Sequence, residues 1–300
     1  MQCIVDVLHM SSETPAVEVK DFIKKFKSPV KKQDFVAVDG VSLKIMPGEV
    51  YGLIGPNGSG KSTTMKAVLG LVEPTAGSCY VFGHNSLQVD SRKDIGFLPE
   101  NPYFYKHLTG QETLKFYGKL CGMRGKSLNV AVDEMLELVS LENARHRRLG
   151  GYSKGMLQRI GIAQALIHKP RLIILDEPTA GVDPVGSREI RDMIMRLRDE
   201  RITIFLCSHL LEQVQEVCDQ VGIIFEGKMV KEGPLEELIA IEDQTQVVLK
   251  DAAPELLKEI EALVKRHDES SLLKIGKPST TLERMFIDIA KSKTAEKQSK

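Results

Sequence analysis

At 300 residues, with 41 basic side chains balanced by 41 acidic ones, the chain offers no general attraction to nucleic acid or to an anionic membrane surface. Its length predicts one large domain with a smaller appendage, and 42% apolar residues are enough for a substantial core. No apolar run approaches the roughly 18–20 residues that span a bilayer, and no secretory leader is evident. The five cysteines (Cys3, Cys79, Cys121, Cys207, Cys218) form no C-x-x-C pair and read as reduced thiols of a cytosolic protein.

In chain order, residues 1–16 read as an N-terminal extension. Strands are predicted at 17–22, 38–45, 50–54 and 77–82 from β-branched residues and alternation. From 109 to about 140 the periodicity is helical, with Leu114, Tyr117 and Leu120 on one face and Val132, Met135, Leu136 and Val139 on another. A helix at 157–167 and a strand at 172–175 follow, then a helix at 187–198, a strand at 202–207, a helix at 211–218 and a strand at 221–225. Strands alternating with helices predict a parallel α/β sheet, and the block at roughly 101–165 interrupts it as a helical subdomain. Past Pro234 a short strand at 246–249 and a helix at 254–266 are predicted. Residues 291–300, with four lysines and almost nothing apolar, are expected to be disordered.

Directly after the strand at 50–54 comes Gly55-Pro56-Asn57-Gly58-Ser59-Gly60-Lys61-Ser62-Thr63, which satisfies G-x-x-x-x-G-K-[ST]. Glycines let successive backbone N–H groups turn inward on an anion, and the helix beginning near Lys61 adds its positive end. Lys61 is expected to reach the β- and γ-phosphates of a nucleotide, and the Ser62 hydroxyl to ligate Mg²⁺. Gly125-Lys126-Ser127 repeats the ending but lacks the first glycine and a preceding strand, so it reads as an inter-helix loop.

The run 171–175 is a buried parallel-strand pattern ending in Asp176 and Glu177. Strand alternation predicts that the two carboxylates face opposite sides and divide the work: Asp176 toward Mg²⁺, Glu177 toward the attacking water. His209 follows another strand end, where ligands gather in parallel sheets, and is read as catalytic rather than structural. His209 and Glu212 could mimic a metal pair, but no third ligand has suitable spacing and zinc is rejected.

These pieces resemble the ATP-binding subunit of ABC transporters over about residues 17–240. Tyr152-Ser153-Lys154-Gly155-Met156 occupies the place of the family's L-S-G-G-Q signature, departing at three of five positions. Its form resembles the exporter branch in which ATPase and membrane subunits are separate chains, and 281–286 is similar to the branch's closing L-E-x-x-F. The resemblance implies a P-loop NTPase (RecA-like) core with an antiparallel β subdomain, an inserted α-helical subdomain and a small C-terminal extension at 241–290. It implies ATP hydrolysis with Mg²⁺ by a homodimer, or a heterodimer with a paralogue, closing head to tail. Ser153, Lys154, Gly155 and Met156 of one subunit would complete the other's site, and Asp183 would lie in the dimer-contact loop.

The resemblance further implies a separate integral membrane permease subunit, no nucleic acid, and a peripheral position on the cytoplasmic face of the membrane. Glu100 stands where the family carries a glutamine, and a carboxylate there is still a hard-oxygen ligand for Mg²⁺. The family also places an aromatic side chain on adenine. Phe26 is the candidate, with Phe35 its rival across an insertion at 28–34, and the surrounding lysines read as a solvated loop. Tyr103, Phe104 and Tyr105 read equally as half-buried packing or as a groove for a membrane subunit's helix. A soluble ABC-type machine on ribosomes or nucleic acid is the alternative, disfavoured by the neutral charge and by the single cassette.

Overall fold

The computed structural model describes residues 14–27 and 34–239, with isolated positions 256, 259, 260, 262, 263 and 266. The expected strand at 246–249, the closing motif at 281–286, the tail at 291–300 and nearly all of the insertion lie outside the described residues. The chain divides into two units, one ending at Gly233 and one beginning at Pro234.

The first unit holds two sheets. β1 (Val17–Phe26), β2 (Phe35–Ile45), β4 (Ala76–Val81) and β5 (His84–Asn85) form an antiparallel sheet in the order β2-β1-β4-β5. β3 (Val50–Ile54), β6 (Ile95–Leu98), β7 (Leu172–Asp176), β8 (Thr203–Ser208), β9 (Gln220–Phe225) and β10 (Lys228–Pro234) form a six-stranded sheet in the order β10-β9-β3-β8-β7-β6. From β9 to β6 its neighbours run parallel. Every residue of β3, β7 and β8 is buried, as continuous apolar runs require when both faces of a parallel sheet are covered.

Among the described residues this unit also has six α-helices: α1 (Lys61–Val68), α2 (Gly110–Leu120), α3 (Gly125–Leu138), α4 (Lys154–Leu166), α5 (Pro184–Asp199) and α6 (Leu211–Val217). Helices α2, α3 and α4 pack on one another between β6 and β7 in the chain, and α4 also packs on β6. α6 approaches β3 so closely that a Cβ on Gly52 would stand 2.8 Å from Cys218 Sγ and 2.9 Å from Val214 Cγ1. Only glycine fits there.

Two local expectations are corrected. Gly125-Lys126-Ser127 is not a loop but the first turn of α3. The connection between the two helices is confined to residues 121–124, and Gly125, at φ 62°, already opens α3. Lys24 and Lys25 are likewise not in a loop: β1 extends to Phe26, with Lys24 opposite Val38 and Lys25 opposite Val36. Cross-strand pairing with β2 carries the strand past the point where the alternation of apolar residues ends.

The second unit begins with α7 (Leu235–Ile239), in which Leu235 and Leu238 are buried. The described positions within 254–266 are helical. No helix among the described residues is long and apolar enough to cross a membrane.

Candidate functional site

The C-terminal ends of β3, β7 and β8 converge, and three functional segments leave the sheet there. The first is the phosphate loop. Val50–Ile54 pins it to the core, and α1 starts at Lys61 with Gly60 as its cap at φ 109°, a left-handed conformation closed to most side chains. Gly58 shares the positive φ. The Lys61 ammonium is buried and donates to the carbonyls of Gly55 at 2.6 Å and Pro56 at 3.1 Å. Those bonds hold it against the loop, and its remaining proton is left for another acceptor. Ser62 is exposed beside it, and Ser59 is buried with no hydrogen-bond partner for its hydroxyl.

The second segment carries the carboxylates. Asp176 is the last residue of β7 and is buried, and its pKa is pushed up to about 6. Burial is the main cause, followed by repulsion from Glu177 and Glu100, against which Lys66 and Lys61 pull in the other direction. Glu177 lies beyond the strand at φ 50°, and its backbone N–H donates to Cys207 O at 2.9 Å. Alternation therefore ends at Asp176, and the division between the two carboxylates comes from this left-handed turn rather than from the pleat.

The third segment clamps Glu177. β7 and β8 are neighbours with Asp176 opposite Cys207, so the residues after each strand meet. His209 Nδ1 lies 2.7 Å from Glu177 Oε2, the His209 backbone N–H donates to the same oxygen at 3.3 Å, and Ser208 Oγ stands 3.4 Å away. Oε1 of Glu177 has no protein partner among the described residues. One carboxylate oxygen is thus held, and the other is open to solvent or substrate.

Around these ends lies a cavity of about 330 Å³ lined by Asn57, Gly58, Gly60 to Thr63, Glu100, Glu177 and His209. Phe26, Phe35 and Ala37 close its far side. Phe26 and Phe35 face each other in the β1–β2 register and are 42% and 60% exposed, unusual for phenylalanines. Lys24 Nζ sits 5.2 Å from the Phe26 ring centre and donates to Glu73 O at 2.8 Å, which covers one face of that ring and leaves the other open. A phosphate cradle at one end of a cavity and exposed aromatic rings at the other suit a nucleotide.

The family model described as ABC transporter matches residues 38–180. The bacitracin transport ATP-binding protein BcrA of Bacillus licheniformis is 43% identical over 205 residues, covering 67% of this chain and 66% of BcrA. The uncharacterized ABC transporter ATP-binding protein all4389 of Nostoc sp. is 37% identical over 252 residues, covering 83% of this chain and 75% of that protein. The chain belongs to the ATP-binding proteins of ABC transporters.

Solved cassettes agree. The ADP conformation of MJ1267, an ATP-binding cassette of an ABC transporter, superposes with a TM-score of 0.66 at 27% identity, covering 74% of this chain and 92% of that one. The dimeric post-hydrolysis state of the cassette MJ0796 bound to ADP and Pi has a TM-score of 0.66 at 26% identity, covering 73% and 98%. The chain is thus an ATP-binding subunit with an ABC-type ATPase domain. It spans about two thirds of the length of BcrA.

In this ABC ATP-binding protein the remaining sequence candidates lie apart from the cavity. Ser153 caps α4, its hydroxyl accepting from the Met156 N–H at 3.2 Å; Lys154 is exposed and Gly155 packs near Val182. Asp183 caps α5 by accepting from the Gly186 N–H at 3.0 Å, a bond that holds its carboxyl below the usual range. None of these residues lines the cavity of its own chain. Phe104 is buried while Tyr103 and Tyr105 are exposed, the latter edge-on to Phe116. Sequence reasoning missed Ser208 and Ala37; a hydroxyl directly before His209 at a strand end was the available signal for Ser208, and nothing local singled out Ala37.

Among the described residues no group of three His, Cys, Asp or Glu side chains converges on a metal. Asp176, whose pKa is raised by burial and then by neighbouring negative charge, and exposed Ser62 nevertheless fit Mg²⁺, which is bound through one or two carboxylates and completes its shell with phosphates and water.

Proposed function

We propose that the chain binds Mg·ATP in the cavity and hydrolyses it as one half of a head-to-tail dimer that drives a separate integral membrane subunit at the cytoplasmic face. The observation that carries this reading is the clamp of His209 on Glu177 beside the phosphate loop. The loop N–H groups and the end of α1 hold the β- and γ-phosphates, and Lys61 neutralises charge between them. Mg²⁺, held by Ser62, Asp176 and Glu100, would offset phosphate charge. Glu177 Oε1 orients the attacking water and takes its proton, while Oε2 stays fixed by His209 and Ser208. Phe26 stacks on adenine with its uncovered face.

Ser153 to Met156 and Asp183 do not line the nucleotide cavity of their own chain, which supports a role across a dimer. The dimeric state named for MJ0796 supports the same pairing, homomeric or with a paralogue. BcrA is named for bacitracin transport, so bacitracin is the first cargo to test. The decisive experiment is Glu177→Gln. Nucleotide affinity should stay within about threefold, turnover should fall about 10²–10⁴-fold, and a dimer should accumulate with ATP on gel filtration. Undiminished steady-state hydrolysis removes Glu177 from this role.

A further inference from the structure

Gln158 lies on α4, the helix whose N-terminus is capped by Ser153. Its side chain is 1% exposed, and its Nε2 donates to the backbone carbonyl of Glu100 at 3.0 Å. A carbonyl only accepts, so the amide nitrogen must face it. The Oε1 of Gln158 has no partner, which makes this single bond the side chain's polar anchor among the described residues. On the same helix, a Cβ on Gly161 would stand 2.5 Å from Leu98 Cδ1, so α4 also lies directly against the strand that delivers Glu100.

One rigid helix thus carries the signature residues at its start and grips the backbone of a cavity-lining carboxylate further along. The Gln158 side chain is buried, so a displacement of α4 either moves the Glu100 loop with it or breaks the bond. We propose that Gln158 is a positioning residue that couples the two ATP sites of the dimer. Engagement of Ser153 on the partner's nucleotide sets, through Gln158, where Glu100 stands in its own site. This rests on the head-to-tail pairing under Proposed function.

The test is ATPase rate against ATP concentration for the wild type, Gln158→Leu and Gln158→Glu, with affinity from a fluorescent ATP analogue, gel filtration and thermal melting alongside. The wild-type curve should be sigmoidal. Both variants should bind nucleotide within about twofold of wild type, lose sigmoidality and fall about tenfold in kcat, a factor typical of coupled sites. A folded variant that keeps the wild-type Hill coefficient overturns the inference, because a role in packing alone leaves cooperativity unchanged. Gln158→Glu keeps the side chain's shape and lacks the donor at neutral pH, so it carries the test if Gln158→Leu does not melt cooperatively. Failure of both to fold assigns Gln158 to packing and also overturns it. A wild type that hydrolyses ATP without ever dimerising defeats the pairing itself, whereas a hyperbolic curve from a dimerising wild type defeats only the coupling.

Discussion

His209 Nδ1 stands 2.7 Å from Oε2 of Glu177, although the two residues belong to different strand ends. The contact exists because β7 and β8 run parallel in register and Glu177 turns left-handed toward its neighbour. With Nδ1–H given to Glu177, Nε2 remains for a phosphate oxygen or a water.

His209→Ala should therefore lower kcat by about 10–100-fold and change nucleotide affinity by less than about threefold, because it loosens the carboxylate rather than the phosphate loop. Steady-state rates with a parallel binding titration check this. Loss of affinity in step with kcat would mean that the imidazole binds nucleotide and does little for Glu177.

Asp176 gives a prediction in which stability and function oppose each other. Its carboxyl is pushed up to about 6 in the folded protein, from an ordinary value of 3.8. The folded state therefore binds the proton more tightly, and stability falls as pH rises from about 4 to about 6 and stays lowered above. The ionised group costs roughly 1–3 kcal/mol at neutral pH. Asp176→Asn should melt higher than wild type at pH 7.5 without nucleotide or metal and gain less on acidification to pH 5. With Mg·ATP the order should reverse, since the wild type keeps the carboxylate that holds the metal and gains more from the ligand. Equal melting temperatures of the two metal-free proteins across this range would contradict the assignment.

Glu100→Gln removes one of the charges that raise Asp176 while leaving a carbonyl oxygen in the cavity. At about 6 Å and an effective dielectric near 20, a unit charge pair is worth roughly 3 kcal/mol, so the change is large enough to read. ATP affinity should stay within about threefold while turnover changes at least about fivefold. A parallel loss of both would show that the carboxylate serves binding alone.

The two exposed phenylalanines can be told apart by truncation. Phe26→Ala should weaken ATP binding about tenfold and Phe35→Ala less than about threefold, because Lys24 holds the Phe26 ring with one face open. Titration with ATP and with tripolyphosphate checks the site: neither substitution should alter binding of the base-free ligand. A larger effect from Phe35 would transfer the stacking role to it.

Much of the site could be read along the chain because its parts are local. The span Gly55 to Thr63 carries its own turn chemistry and helix start, and the apolar run before Asp176 and Glu177 announces a buried strand end. The α/β class followed from the same alternation of short apolar runs with helical periods. Elements set by partners were harder. Lys24 and Lys25 looked like loop residues, because nothing in their own stretch reveals that β2 pairs with them.

What covalent neighbours dictate — loop curvature, strand burial and helix starts — was written into the order of amino acids. The three-dimensional packing alone supplied the contacts between segments distant in sequence: the imidazole on Glu177, the amide of Gln158 on Glu100, and the rings of Phe26 and Phe35 across one cavity. The reason is that strand register and helix approach come from burying side chains collectively, and a burial partner has no signature in its neighbour's sequence.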